Sequence, residues 1–263
     1  MTRTNRKLRG SFGLLIATLA TGACTDSTGL DALDDAFLLD MALVAADATI
    51  EDVNLWGQPL TFGPLAGPGA QGHTHTPGVP GGHGGFAGSG TRSVTFFDAD
   101  DDEQDAYDAL TTASMHILHD VQGEVQRESW TATISRQRDK WVTGLVGEET
   151  HRTWNGTGSE QVTRSRHLDD GTERSYESSG TIVYEDVVVP IPGSTPRWPV
   201  SGTITRSMTV TGTGADGTTT RAVEIVITFD GTAIATALVN GELIEIDLSV
   251  RSGRNPVRRG RGG

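Results

Sequence analysis

The chain has 263 residues, with 34 Asp and Glu against 21 Lys and Arg, a formal net charge of -13 and a sequence pI of about 4.9. A chain this acidic repels phosphate backbones, which are bound through clustered cations, so nucleic acid is excluded as a partner. The lone cysteine, Cys24, leaves no second thiol for a disulfide or a cysteine-rich metal site.

In chain order, the basic residues Arg3, Arg6, Lys7 and Arg9 come first, then an apolar run from Phe12 to Ala20, then the small residues Thr21, Gly22 and Ala23 ahead of Cys24. The run is about nine residues, the length of a signal h-region and about half of a membrane-spanning helix. Thr21-Gly22-Ala23-Cys24 resembles the lipobox of bacterial lipoproteins, with Thr21 standing where most carry Leu. The resemblance implies that residues 1–23 are a signal peptide and that Cys24 is diacylglycerylated. It also implies a membrane tether in the envelope of a Gram-negative-type bacterium, the outer membrane in preference to the inner. Loss of the four basic residues before Cys24 would move the formal charge from -13 to -17. Beyond Cys24 the chain resembles exported lipoproteins of high-GC bacteria to which no activity is attached, so this wider likeness implies none.

Residues 24–56 hold the lipidated N-terminus and one helix. Leu33, Phe37, Leu38, Met41, Val44, Ala45 and Ala48 recur at a spacing of three to four and form one apolar stripe between Asp31 and Ile50. Thr28 is placed to cap it, and Asp31, Asp34 and Asp35 suit the positive end of its dipole. An acidic polar face containing Asp34, Asp35 and Asp40 would be repelled by anionic headgroups, so the helix is expected to pack on the rest of the protein through Leu33, Phe37, Leu38 and Met41.

Residues 57–90 are rich in Gly and Pro and read as a linker or long surface loop. From 91 to 250 the period changes to two, and Asp170-Gly171, Asp216-Gly217, Asp230-Gly231 and Asn240-Gly241 carry hairpin chemistry between β-branched runs. Strands are expected at 92–97, 115–126, 129–138, 141–154, 160–168, 173–188 and 200–211, with one more before Asp230-Gly231, where Val223, Ile225, Ile227 and Phe229 alternate, and one after Asn240-Gly241, where Ile244, Ile246, Leu248 and Val250 do. Pro190, Pro192, Pro196 and Pro199 mark a loop. In Val162–Leu168, Arg164 and Arg166 share one face and Thr163, Ser165 and His167 the other, so one side of the sheet there must be wet. The fold expected is mainly β: an antiparallel meander of about ten strands, a curved open sheet or barrel-like, with one N-terminal amphipathic helix. The tail 251–263, with Arg251, Arg254, Arg258, Arg259 and Arg261 among glycines, is expected to be unstructured and to suit an anionic envelope surface.

Chemistry-bearing patterns are sparse. His73, His75 and His83 are weak metal candidates on the linker, since neutral imidazoles on a mobile chain can gather round a transition metal. Asp98, Asp100 and Asp102 have the one-three-five spacing of a calcium loop. Glu103, however, stands where that loop needs glycine, and Ala109 where it needs a bidentate Glu. His116 and His119 point to opposite faces if 115–126 is a strand. Trp130, Trp141 and Trp154 fall on three consecutive expected strands, as core residues or as a sugar-binding platform. There is neither a Gly-x-Ser-x-Gly elbow nor a Ser-x-x-Lys, and Gly212-Thr213-Gly214 reads as a turn and not a phosphate cradle. No cofactor is called for. These observations point to a lipid-anchored envelope protein with a non-catalytic binding or structural role. The alternative is a carrier that holds an acyl chain in a curved sheet, with a hydrolase third; the carrier needs an apolar cavity of several hundred Å³.

Overall fold

A computed structural model describes residues 35–56, 86–126, 130–147, 149–167, 173–214, 217–250 and 255–260. One helix, α1 (Asp35–Trp56), precedes eleven strands: β1 (Phe86–Phe97), β2 (Glu103–Gln104), β3 (Ser114–Gln126), β4 (Trp130–Thr143), β5 (His151–His167), β6 (Glu173–Pro190), β7 (Ser201–Gly214), β8 (Gly217–Thr228), β9 (Ile234–Val239), β10 (Glu242–Asp247) and β11 (Val257–Arg259). They form one antiparallel sheet in the order β11-β10-β9-β8-β7-β6-β5-β4-β3-β1-β2. It is a meander with two ends, and its only departure from chain order is β2 outside β1.

Alternation assigns the faces. In β8, Val223, Ile225 and Ile227 are buried while Glu224 and Thr228 are exposed; β9 buries Ala235, Ala237 and Val239, and β10 buries Ile244 and Ile246. Asn240 and Gly241 have φ of 48° and 88°, the left-handed pair that a two-residue type I′ turn requires, so this hairpin is written in the sequence.

The inner face of the sheet is covered by α1. Phe37, Leu38 and Met41 are buried as expected; Leu33 and Thr28 lie outside the described residues. Ala42, Ala45, Ala46, Ala48 and Thr49 are also buried, and such small side chains let α1 come within 8 Å, Cα to Cα, of β9 and β11. The helix ends at Trp56, six residues past the expected Ile50, because Val53 and Trp56 continue the buried stripe. Trp56 is 1% exposed and packs with Trp154, Tyr184 and Phe229 at ring-centroid distances of 5.7, 6.2 and 6.3 Å.

Several expectations need correction. Asp40 is buried against the sheet, not on an outer acidic face: its carboxylate accepts from Tyr176 Oη at 2.8 Å and pairs with Arg166. Residues 129–154 do not break at 138–141. One strand, β4, runs through to Thr143, and the break falls at 144–150, where Gly144 and Gly147 take φ of 78° and 58°. The sheet begins at Phe86, inside the span read as linker, where Phe86 pairs with Val125. In the tail, Val257–Arg259 is a strand, not an unstructured segment; its register pairs Val257 with Ile246, and Val257 is 8% exposed. Val257 is an apolar residue among the arginines and glycines of the tail, and it has a core position to fill.

Candidate functional site

Two regions concentrate polar chemistry. The first lies between α1 and the inner face of β4–β7. Residues Arg136, Arg138 and Lys140 alternate inward along β4, Glu160 and Arg164 along β5, Tyr176 and Tyr184 along β6, and Arg206 on β7. Arg138, Lys140, Glu160, Arg164 and Arg206 are all buried. The last turns of α1 bring Glu51 and Asp52 with no basic residue among them, an unfavourable arrangement at the negative end of a helix dipole. The sheet supplies the cations instead. Lys140 Nζ donates to Asp52 Oδ1 at 2.8 Å and Arg136 Nη1 to Glu51 Oε2 at 2.5 Å, while Arg206 Nη2 stands 3.7 Å from Asp52 Oδ2. Tyr184 Oη completes the set by donating to Asp52 Oδ2 at 2.8 Å.

Those cations are themselves held by Glu160 and by backbone carbonyls. Arg206 Nη1 donates to both oxygens of Glu160, at 3.0 and 3.1 Å, and Arg138 Nη2 reaches Glu160 Oε2 at 3.2 Å. Arg138 also donates to Tyr184 Oη and to the carbonyls of Gln137 and Ser159, each at 3.0 Å. It can lie flat across β5 because Gly158 has no side chain: a Cβ there would stand 2.8 Å from Arg138 Cδ. Burial alone would raise the Asp52 carboxyl. The charges of Lys140, Arg138 and Arg206 outweigh it and hold the group at about 2. Glu160 is lowered in the same way, with burial opposed by Arg206, Arg136 and Arg138. Burial raises the Tyr184 phenol, as does the neighbouring Asp52, so it remains a neutral donor. This assembly holds a helix; its acids are fully engaged by cations and a phenol.

The second region is on the outer face, where β1, β3, β4, β5 and β6 meet. Trp141 is 40% exposed. His116, its direct partner across the β3–β4 ladder, stacks on it at 4.5 Å between ring centroids and 12° between planes, and Phe97 packs at 5.3 Å. Asp139 Oδ1 fixes His116 through Nε2 at 2.7 Å. On the other flank, Trp141 is in register with Asn155, which opposes two residues of β6, Glu185 and Asp186, between the Trp154–Val187 and Gly156–Tyr184 pairs. Asn155 Nδ2 donates to Asp186 Oδ1 at 3.1 Å, and the Asp186 amide returns a bond to Asn155 Oδ1 at 2.8 Å. Asp186 sits at φ 47°, within this same β6 bulge, which the pairing with β7 registers between Glu185 and Val188.

The three tryptophans therefore do not share a face. Trp130 and Trp141 lie eleven residues apart on the same strand, which sends them to opposite sides. Trp130 stacks under the Arg164 guanidinium at 4.2 Å on the inner face, and Trp154, 4% exposed, is core. The strand parity of His116 and His119 separates them as expected. His119 faces inward, where burial and then Arg92 and Lys140 lower its pKa. Asp98 caps a turn, its Oδ1 accepting the amides of Asp100 and Asp102 at 2.9 and 3.0 Å, so the three carboxylates do not converge there as a cage. Among the described residues no group of three His, Cys, Asp or Glu is placed to hold a metal. Cys24, His73, His75 and His83 lie outside the described residues. Sequence reasoning missed the ionic set altogether, since Arg, Lys and Glu in alternate positions of β4 ordinarily signal a solvated face.

No family model, curated protein or solved structure matches the chain.

Proposed function

We propose that this chain is a lipid-anchored envelope protein, tethered through Cys24, whose folded part is a non-catalytic binding or structural module. The observation that carries the proposal is the placement of α1 on the inner face of the sheet, locked there by Asp52 to Lys140 and Tyr184. A carrier would need that inner face for an acyl chain, and it could free the space only by breaking buried ion pairs. Two depressions of about 380 and 250 Å³ open on the outer face instead, lined by Gln, Ser, Thr and Glu side chains such as Gln161, Thr163, Glu177 and Ser179, which suit water or hydroxyls and not a hydrocarbon. The only hydroxyl bonded to a histidine among the described residues is Thr150, on its chain neighbour His151, at an exposed position.

Two measurements test the proposal. Cys24→Ser should move the protein from the membrane to the soluble fraction, and mass spectrometry of the membrane-bound form should show acylated Cys24 as the first residue. An intact signal or an unmodified thiol would end the anchoring claim. Titration of the full Cys24→Ser chain with palmitate should give no saturable uptake; one-to-one uptake would establish the carrier instead. The tail belongs to the same proposal. The cluster of Arg251, Arg254, Arg258, Arg259 and Arg261 should add salt-sensitive binding to anionic vesicles, worth on the order of 1 kcal/mol per basic residue at low salt.

A further inference from the structure

We propose that the outer-face stack around Trp141 is a binding site for an uncharged pyranose ring of an envelope glycan. The inference deepens the binding half of the proposed role and rests on it, while being independent of how Cys24 is processed.

An indole left 40% exposed on a sheet is held still here by three contacts: the parallel His116 ring, the Phe97 ring and, through His116, Asp139. Its orientation is therefore set before any ligand arrives, which removes the ordering cost that weakens binding to loose aromatic side chains. One flank of Trp141 is occupied by His116. The opposite flank looks toward Asn155, its partner in the β4–β5 register. There β6 carries one extra residue against both of its neighbours, and within that bulge Asp186 takes a left-handed conformation unusual for a non-glycine residue. Bulges of this kind re-aim side chains, and backbone held in sparsely populated regions clusters at functional sites. The result is a flat apolar wall beside an amide and two carboxylates.

That combination matches the chemistry of a sugar ring. The C–H bonds of one pyranose face carry partial positive charge and suit the negative face of an indole. The hydroxyls at the rim donate to carboxylate and amide oxygens; Asp139 keeps one oxygen beyond its bond to His116 and is half exposed. Asp139 and Asp186, on a chain of net charge -13, make the site a poor host for uronates or phosphorylated sugars, so the ring is uncharged. The inference is of binding alone.

The test uses the full chain carrying Cys24→Ser and two probes, the β-1,4-linked tetramer of N-acetylglucosamine and the α-1,4-linked tetramer of glucose. Together they separate an amino-sugar source from a glucan source. One of them should shift the Trp141 indole N–H resonance saturably. Trp141→Ala should weaken that binding at least tenfold, while Leu238→Ala, on the same outer face at the far end of the sheet, should leave it unchanged. Should Trp141→Ala fail to fold, Trp141→Phe keeps a ring at the position and should give a several-fold loss. The inference is overturned if neither tetramer binds, if Trp141 variants bind as well as the parent, or if polygalacturonate binds in preference to both. Any of these results leaves the palmitate titration, and with it the non-carrier reading, untouched.

Discussion

The inner face of the sheet is two different surfaces under one helix. On β8–β10 it is Val223, Ile225, Ile227, Ala235, Ala237, Val239, Ile244 and Ile246, all at 2% exposure or less. On β4–β7 it carries Arg136, Arg138, Lys140, Glu160, Arg164 and Arg206, of which Arg206 is wholly buried. The apolar half stabilises by area and is indifferent to small shifts of the helix. The ionic half is directional: Asp52 must stand where Lys140, Tyr184 and Arg206 converge, because each buried charge costs several kcal/mol of desolvation that only close partners offset. The first half holds α1 against the sheet. The second fixes where along the sheet it lies.

That division of labour can be broken experimentally. The largest effect should come from Asp52→Ala, which strands Lys140 and part of Arg206 without their anion and should cost about 3–5 kcal/mol in denaturant unfolding. Pairing Asp52→Leu with Lys140→Met removes both charges and should recover most of that loss. If the double variant is as unstable as the single, the two groups are not coupled and the ionic half is not what places the helix. Phe37→Ala comes next, at up to about 3–5 kcal/mol, since Phe37 is 7% exposed against Tyr176 at 5.7 Å. This loss should not change with ionic strength, whereas that of Asp52→Ala should be smaller at low pH.

The pH dependence sharpens the same contrast. The folded Asp52 titrates at about 2, below its ordinary 3.8, so its contribution is present above pH 4 and is lost as pH falls from about 4 to 2. The shift corresponds to about 2 kcal/mol. The lowered His119 works in the same direction, disfavouring the folded state as pH drops below its ordinary 6.5. Acid unfolding followed by tryptophan fluorescence should begin with loss of the Trp56 contacts. A wild-type protein equally stable at pH 2 and pH 6 would exclude the ion pairs as a source of stability. The smallest effect is expected in the apolar half: Ile227→Val should cost about 0.5–1.5 kcal/mol at any pH.

Strands β6, β7, β8 and β10, the Asn240-Gly241 turn, the helix and its packing face were legible because each depends on short-range pattern: period two, period three to four, or a dipeptide that accepts left-handed φ. The parity of His116 and His119 followed from β3 alone. Strand β4 shows where this stops. Ser135, Gln137 and Asp139 alternate with Arg136, Arg138 and Lys140, so both faces are polar and no hydrophobic period says which is inside. The order of this segment is electrostatic, so nothing in its hydrophobic pattern shows that β4 runs unbroken through 138–141. Asp40 failed for the same reason, since an acid on an amphipathic helix is assigned to water unless a buried Tyr176 and Arg166, more than a hundred residues away, are known to meet it.

The sequence by itself determined the helix, most of the strands, their antiparallel pairing and which residues alternate together, because those are properties of neighbours along the chain. Only the tertiary structure decided that Asp52, Glu160 and Arg206 share one buried network, and that Trp141 and not Trp154 faces outward beside Asn155 and Asp186. Burial of a charge, or exposure of an indole, is settled by partners brought together across the sheet, and no local pattern records the meeting of residues so distant in sequence.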